Sequence, residues 1–495
     1  APEPGAAPAT AAALELAAWV FVAAFCDAVA PTAVLPAGSR LLGENPDLWW
    51  FAMALLAVVC FAPPMVRSIE GDAGDPALFF NRAQCNEWKG WMQVAFVAYH
   101  YANAQGVYVP IRWFVSAYVW LTGFGNARYF WKTADFSGAR FLKMVWRINC
   151  FAAPLSLATG THWIAYYVVA LHTVHFALCF AAFGLASACR RCLPCGAGRD
   201  LLGALPALAL YAAVAAAVWE FGGYDLALRP ALSSAFGAPF ETYFWYRTRM
   251  DYLSSFFGAV FAAALPSVVA VWVVGDRSKT AKGAAAAAAA ALAAAGVLAW
   301  ATHAKPAAYR DVQPYVGTLW VPLYALLRNA TPALRNSVSM PLEWVGARSL
   351  ELYLLQFHLL MNRSAGGVLW LLPDEDWPLC NLALAASLWL VAAHRVFLRT
   401  AELRDAAEAR PAPTAALLAA AAAVYGAMRA LTCAGGAVAL GAAAVAAFGG
   451  YVAADVLSRC EPPPPPAYAA VAVTEADDGD GEAPGSPGPP AREMV

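Results

Sequence analysis

Residues 86–105 read NEWKGWMQVAFVAYHYANAQ, a stretch as apolar and aromatic as a bilayer-crossing helix yet carrying Lys89, Gln93, His100 and Asn103. At 100° per residue, Lys89, Gln93 and His100 lie within about 40° of one another, while Glu87 points nearly the opposite way. The rise of about 1.5 Å per residue puts His100 about 16 Å from Lys89 along the axis. If the span begins near residue 91, His100 lies roughly halfway across the bilayer. Ionisable groups in a hydrocarbon core cost several kcal/mol unless they face protein or water. A stripe of them therefore predicts a hydrated cavity; the alternative is that the groups only bond helices to one another.

The whole composition agrees with a membrane setting. Of 495 residues, 61% are hydrophobic and only 13% charged, against about 25% charged in soluble domains. The formal net charge of −1 suggests no nucleic-acid partner. Apolar windows of about 20 residues begin near residues 12, 48, 91, 111, 144, 163, 200, 255, 284, 312, 342, 379, 413 and 434. The expected fold is all-α and polytopic, with about 12–14 transmembrane helices around a polar cavity. ALELAAWVFVAAFCDAVAPTAVL, beginning at Ala13, reads as an uncleaved signal anchor because it lacks a basic flank.

Lysines and arginines set the orientation. Basic loops at KTADFSGARFLK (132–143), CRRCLPCGAGR (189–199), GDRSKTAKG (275–283) and RVFLRTAELRDAAEAR (395–410) all fall on one side, expected to be cytosolic. Cys189, Cys192 and Cys195 in the second loop are read as reduced thiols, with metal binding or lipidation as the other options. The sequon Asn362-Arg363-Ser364 falls on the lumenal side, whereas Asn329-Ala330-Thr331 falls on the other. The expected organisation is membrane helices and a loop over 1–80, a membrane domain over 81–404, Ala-rich helices over 405–460, and a disordered Pro-rich acidic tail over 461–495.

A second helix, WVGARSLELYLLQFHLLMN, repeats the polar pattern. Glu351, His358 and Asn362 share a face, with Arg348 nearby and Gln356 well off it. His358 is expected toward the lumenal end and His100 near the middle, so that the two could serve as base and acid or as successive sites of one transfer. Arg147 and Asn149 open another span, and Arg247 and Asp251 stand one turn apart, able to pair. His172 and His175 are at i, i+3 but lack a carboxylate or cysteine motif for a metal.

NEWKGWMQVAFVAYHY, LTGFGNARYFW with ADF behind it, RINC, FWYRTRMD and LELYLLQFHLL occur in the order of one family. The chain resembles the polytopic acyltransferase domain first named for fungal capsule O-acetylation. That domain is similar to the membrane part of the animal sialic acid O-acetyltransferase and to the plant reduced-wall-acetylation proteins. The resemblance runs from about Asn81 to about Arg404. It implies an O-acetyltransferase of the Golgi or endoplasmic reticulum membrane, with acetyl-CoA as cytosolic co-substrate, no bound cofactor or metal, and a glycan or polysaccharide acceptor. Its motif positions are Glu87, Trp88, Lys89, Gln93, His100, Tyr101, Asp135, Arg147, Asn149, Arg247, Asp251, Glu351, Gln356 and His358. From depth and chemistry, His100, His358 and Glu351 are expected to be catalytic and the others to bind substrate.

Two positions depart from the family pattern: Tyr252 replaces an arginine, and Gln313 replaces a histidine. The lumenal serine-hydrolase-like domain of the animal enzyme, with its Asp-x-x-His pair, has no counterpart here, so the architecture resembles the plant type, which works with separate lumenal transferases. The other functions that fit are a carrier of acetyl-CoA or another acetyl donor and, less chemically, a scaffold retaining transferases.

Overall fold

The computed structural model describes residues 6–27, 45–69, 78–159, 166–192, 201–230, 238–273, 306–362, 367–372 and 377–409, with the single residues 233, 283 and 290. Most of the low-complexity Ala-rich span near 284, the spans near 413 and 434, the acidic tail, Cys195 and most of the 275–283 basic loop lie outside the described residues.

The described chain is almost entirely helical: α1 (Ala6–Ala24), α2 (Pro46–Cys60), α3 (Arg82–Tyr101), α4 (Tyr108–Thr133), α5 (Gly138–Asn149), α6 (Ala152–Thr159), α7 (Tyr167–Cys192) and α8 (Leu201–Trp219). They continue as α9 (Ala238–Asp251), α10 (Ser254–Trp272), α11 (Pro306–Val316), α12 (Trp320–Arg328), α13 (Pro332–Arg335), α14 (Met340–Ala347), α15 (Ser349–Leu359) and α16 (Pro378–Ala409). Two small antiparallel ribbons complete it: β1 (Val66–Ser68) with β2 (Ser337–Ser339), and β3 (Met361–Asn362) with β4 (Gly367–Val368).

Among the described residues, three stretches are long and apolar enough to cross a membrane: Tyr167–Ala188, Thr242–Ala270 and Pro378–Asp405. The predicted spans near 144, 312 and 342 are instead broken into α5/α6, α11/α12 and α14/α15. Local chemistry sets the pieces: the Ser137 hydroxyl accepts from the Arg140 N–H at 3.2 Å to start α5, and Pro341 sits in the first turn of α14. Interrupted backbone at membrane depth is tolerated where protein or a wet cavity surrounds it.

Helix α3 begins where Asn81 accepts a hydrogen bond from the Gln84 N–H at 3.0 Å. It ends at Tyr101, with Asn103 at φ 47° turning the chain toward α4. The helix stops short of residue 105, so His100 occupies its last turn.

Two seams fix the bundle. A Cβ on Gly90 would lie 1.9 Å from the Leu342 carbonyl oxygen, and one on Gly346 would lie 1.7 Å from that of Asn86, so α3 and α14 touch backbone to backbone. Gly123 and Gly258 do the same for α4 and α10, with 1.8 Å to Ser255 O and 2.1 Å to Trp120 O. Since the obstruction at Gly346 is main chain, Gly346→Ala is expected to destabilise by about 1–3 kcal/mol. Detergent thermal melts should show it, and an unchanged melting temperature would contradict the seam.

Buried apolar residues form two main clusters. One centres on Trp88, Trp120, Phe124 and Phe80; the other joins α1, α6, α15 and α16 through Trp19, Leu155, Leu355 and Trp389. Glu15 of α1 receives Arg395 at 2.6 Å and Arg399 at 2.6 Å, locking α1 against α16. The candidate site lies where the two clusters meet.

Candidate functional site

Helices α3, α5 and α15 bring one group of predicted residues together. Arg147 Nη1 of α5 donates to Glu351 Oε1 of α15 at 3.0 Å, and Lys89 of α3 feels both charges. Glu351 is buried, and its second carboxylate oxygen, Oε2, has no hydrogen-bond partner among the described residues. The Arg147 guanidinium also lies 5.1 Å from the Phe397 ring. Asn149, two residues on, donates to Thr173 Oγ1 at 3.0 Å and so faces α7. One residue earlier on α7, His172 Nδ1 and Thr122 Oγ1 are 2.5 Å apart.

From Lys89 the polar face of α3 continues through Gln93 to His100. Gln93 is buried with its Nε2 unpartnered. His100 is half-buried, and neither ring nitrogen has a hydrogen-bond partner among the described residues. Its ring meets Phe357 of α15 at 5.5 Å, which places it beside His358. Both histidines therefore stand at the same end of the bundle, in the last turns of α3 and α15. Tyr101, the final residue of α3, is half-buried.

His358 is fully buried: Nε2 lies 2.6 Å from the Tyr166 hydroxyl and Nδ1 lies 3.2 Å from Asp27 Oδ1. Gln356, also fully buried, has both amide atoms unpartnered.

The predicted Arg247–Asp251 pair does not form. Asp251 accepts from Arg112 Nη2 at 2.5 Å and from Ser116 Oγ at 2.5 Å, all three buried. Gln313 Nε2 donates to Ser116 Oγ at 2.6 Å, while its Oε1 accepts from Tyr309. Gln313 thus supplies a contact at the position where the family pattern has a histidine. Arg247 instead donates to the Tyr243 hydroxyl at 2.5 Å and lies 4.4 Å from the Tyr167 ring. Tyr252 donates to Glu220 at 2.6 Å and stacks on Trp219.

Other motif residues lie in the frame and away from this polar face. Glu87 is buried, bound to Arg328 Nε at 2.9 Å and to the Ser339 N–H at 2.6 Å, tying α3 to α12 and β2. Trp88 is buried against Tyr324, ring to ring at 4.9 Å. Asp135 caps a turn, accepting from the Ser137 N–H at 3.0 Å and the Tyr129 hydroxyl at 3.2 Å. The Ser137 hydrogen bonds hold its carboxyl below the ordinary range. Asn362 is buried in β3, and the rest of its sequon lies outside the described residues. His175 bonds Ser255 at 2.6 Å. Among the described residues no cluster of three or more metal-binding side chains occurs.

Arg112, Ser116, Tyr166 and Asp27 escaped the sequence reading. The signal for Arg112 and Asp27 was present: each is a lone charge inside an apolar run, which requires a buried partner.

Comparison with known proteins adds family information. Residues 50–416 match the family described as the 10 TM acyl transferase domain found in Cas1p. An N-acetylneuraminate (7)9-O-acetyltransferase of Danio rerio is 27% identical over 342 residues, covering 66% of this chain and 43% of that protein. The chain thus spans less than half the length of this curated relative. No solved structure matches.

Proposed function

Because the chain belongs to the family of the 10 TM acyl transferase domain found in Cas1p, we propose that it is a membrane-bound O-acetyltransferase. It takes acetyl from cytosolic acetyl-CoA and delivers it across a Golgi or endoplasmic reticulum membrane to a glycan or polysaccharide hydroxyl. A separate lumenal transferase could complete the last step. The observation that carries this reading is His100, a half-buried imidazole free of hydrogen bonds among the described residues, at the end of a polar face beginning at Lys89.

In this reading Lys89 and Arg147, with Lys132, Arg140 and Lys143 of the adjoining basic loop, attract the donor's phosphates. The thioester reaches His100. Either the imidazole attacks the acetyl carbon and thiolate leaves, or it takes the acceptor's proton as general base. Glu351 balances the cations, and His358 serves the acceptor step. Gln93, Gln356, Tyr101, Asn149 and Arg247 contribute polar lining or its support.

Purified protein in sealed liposomes, given acetyl-labelled acetyl-CoA outside and a soluble glycan inside, tests this. Acetyl on the enclosed glycan or covalently on the protein is the expected result. Intact coenzyme A accumulating inside, with no acetylated product, would instead establish the carrier alternative.

A further inference from the structure

Asp27 stands at the carboxyl end of α1, where the unsatisfied carbonyls of a helix make a carboxylate unfavourable without a compensating partner. Its side chain is only 12% exposed, and His358, 3.2 Å away, is completely buried. Near them in sequence, Ala23, Ala24, Leu354, Leu355 and Leu359 are all buried in one apolar cluster. A purely mechanical tie between α1 and α15 would be made at lower cost by such side chains, because replacing a buried ion pair by apolar groups is commonly neutral or stabilising.

The other ring nitrogen is also engaged. Tyr166 approaches Nε2 at 2.6 Å, and the Tyr166 ring lies 6.3 Å from Phe357, whose other neighbour is His100. Carboxylate, imidazole and phenol therefore lie in a row, with the Phe357 ring between Tyr166 and His100. The Asp27–Nδ1 approach is within ion-pair distance but lacks the alignment of a hydrogen bond in this conformation.

We propose that Asp27 is the positioning residue for His358, holding the ring proton on Nδ1 so that Nε2 accepts from the Tyr166 hydroxyl. This deepens the acetyltransferase reading and rests on it for its catalytic meaning. As an acceptor oxygen bonds the acetyl carbon and the acyl carbon's bond to its leaving group breaks, the acceptor's proton passes to Tyr166 oxygen. The Tyr166 proton moves to Nε2, and Asp27 remains a carboxylate beside the resulting imidazolium. The leaving group then takes a proton back along the same route. Neutral histidine bonded in this way has one tautomer, whereas an asparagine partner can equally favour the other.

The test uses the full chain labelled with ¹⁵N-histidine, the His358 signals being identified by their loss in His358→Gln. Wild type should show a protonated Nδ1 and an unprotonated Nε2 at His358, and Asp27→Asn should change that pattern. In liposomes, Asp27→Asn should lower kcat about 10²–10⁴-fold with KM for acetyl-CoA little changed; Asp27→Glu should recover part of it. An Asp27→Asn protein that folds with the His358 signals unmoved, or that keeps kcat per folded molecule, overturns the proposal. The spectra do not depend on turnover. A wild type with the expected tautomer but no acetyl transfer would therefore refute the acetyltransferase reading, and with it the catalytic role of Asp27, while upholding the positioning.

Discussion

His100→Ala should reduce acetyl transfer in sealed liposomes by about 10²–10⁴-fold, the range that a positioned acid–base group or nucleophile supplies. The protein should remain folded, because the imidazole contributes ring contacts with Tyr99 and Phe357 but no hydrogen bond among the described residues. Binding of acetyl-CoA should persist, since the cations that would meet its phosphates sit near Lys89, about 16 Å along the helix. The measurement is label on protein and product in parallel with donor binding. Undiminished transfer by His100→Ala would remove the residue from the chemistry. Donor binding lost together with transfer would point to a collapsed cavity.

Asp251→Ala should have the largest effect on stability. It strands the Arg112 guanidinium, which is 1% exposed, with no carboxylate partner. Breaking a buried pair by removing one member costs about 3–5 kcal/mol. Ser116 loses the same acceptor, so the Gln313 and Tyr309 contacts loosen with it. Size-exclusion profiles after heating in detergent should show the loss. The double change Arg112→Met with Asp251→Leu should recover much of it, because two apolar groups leave no stranded charge. Equal instability of the single and double variants would mean that the pair organises the fold in some other way.

The helical membrane architecture was legible because hydrophobicity is a property of composition and run length. The polar face of α3 was legible because helical periodicity alone places Lys89, Gln93 and His100 together. Where α3 stops was not legible: the backbone turn at Asn103 moves His100 to a terminus without altering the apolar pattern that suggested a longer span. Pairings between distant segments were likewise hidden. The proximity of Arg247 and Asp251 in sequence suggested a bond, but Arg112 reaches the carboxylate from α4 and aromatic rings surround Arg247. Asp27 and His358 are separated by more than three hundred residues, and no periodicity couples them. Glu87 and Trp88 show that a motif residue can belong to the frame: adjacent in sequence to Lys89, they face a salt bridge and an aromatic core.

The two glycine seams have a mechanical consequence. Where main chain rests on main chain, no side chain can change rotamer to admit sliding, so α3 with α14 and α4 with α10 each behave as a stiff leaf. The short turn from Ala102 to Val107 is the spine joining them in sequence, and Asn103 gives it its bend. Any movement of one leaf against the other would open like a book along that spine, leaving the pages themselves unbent.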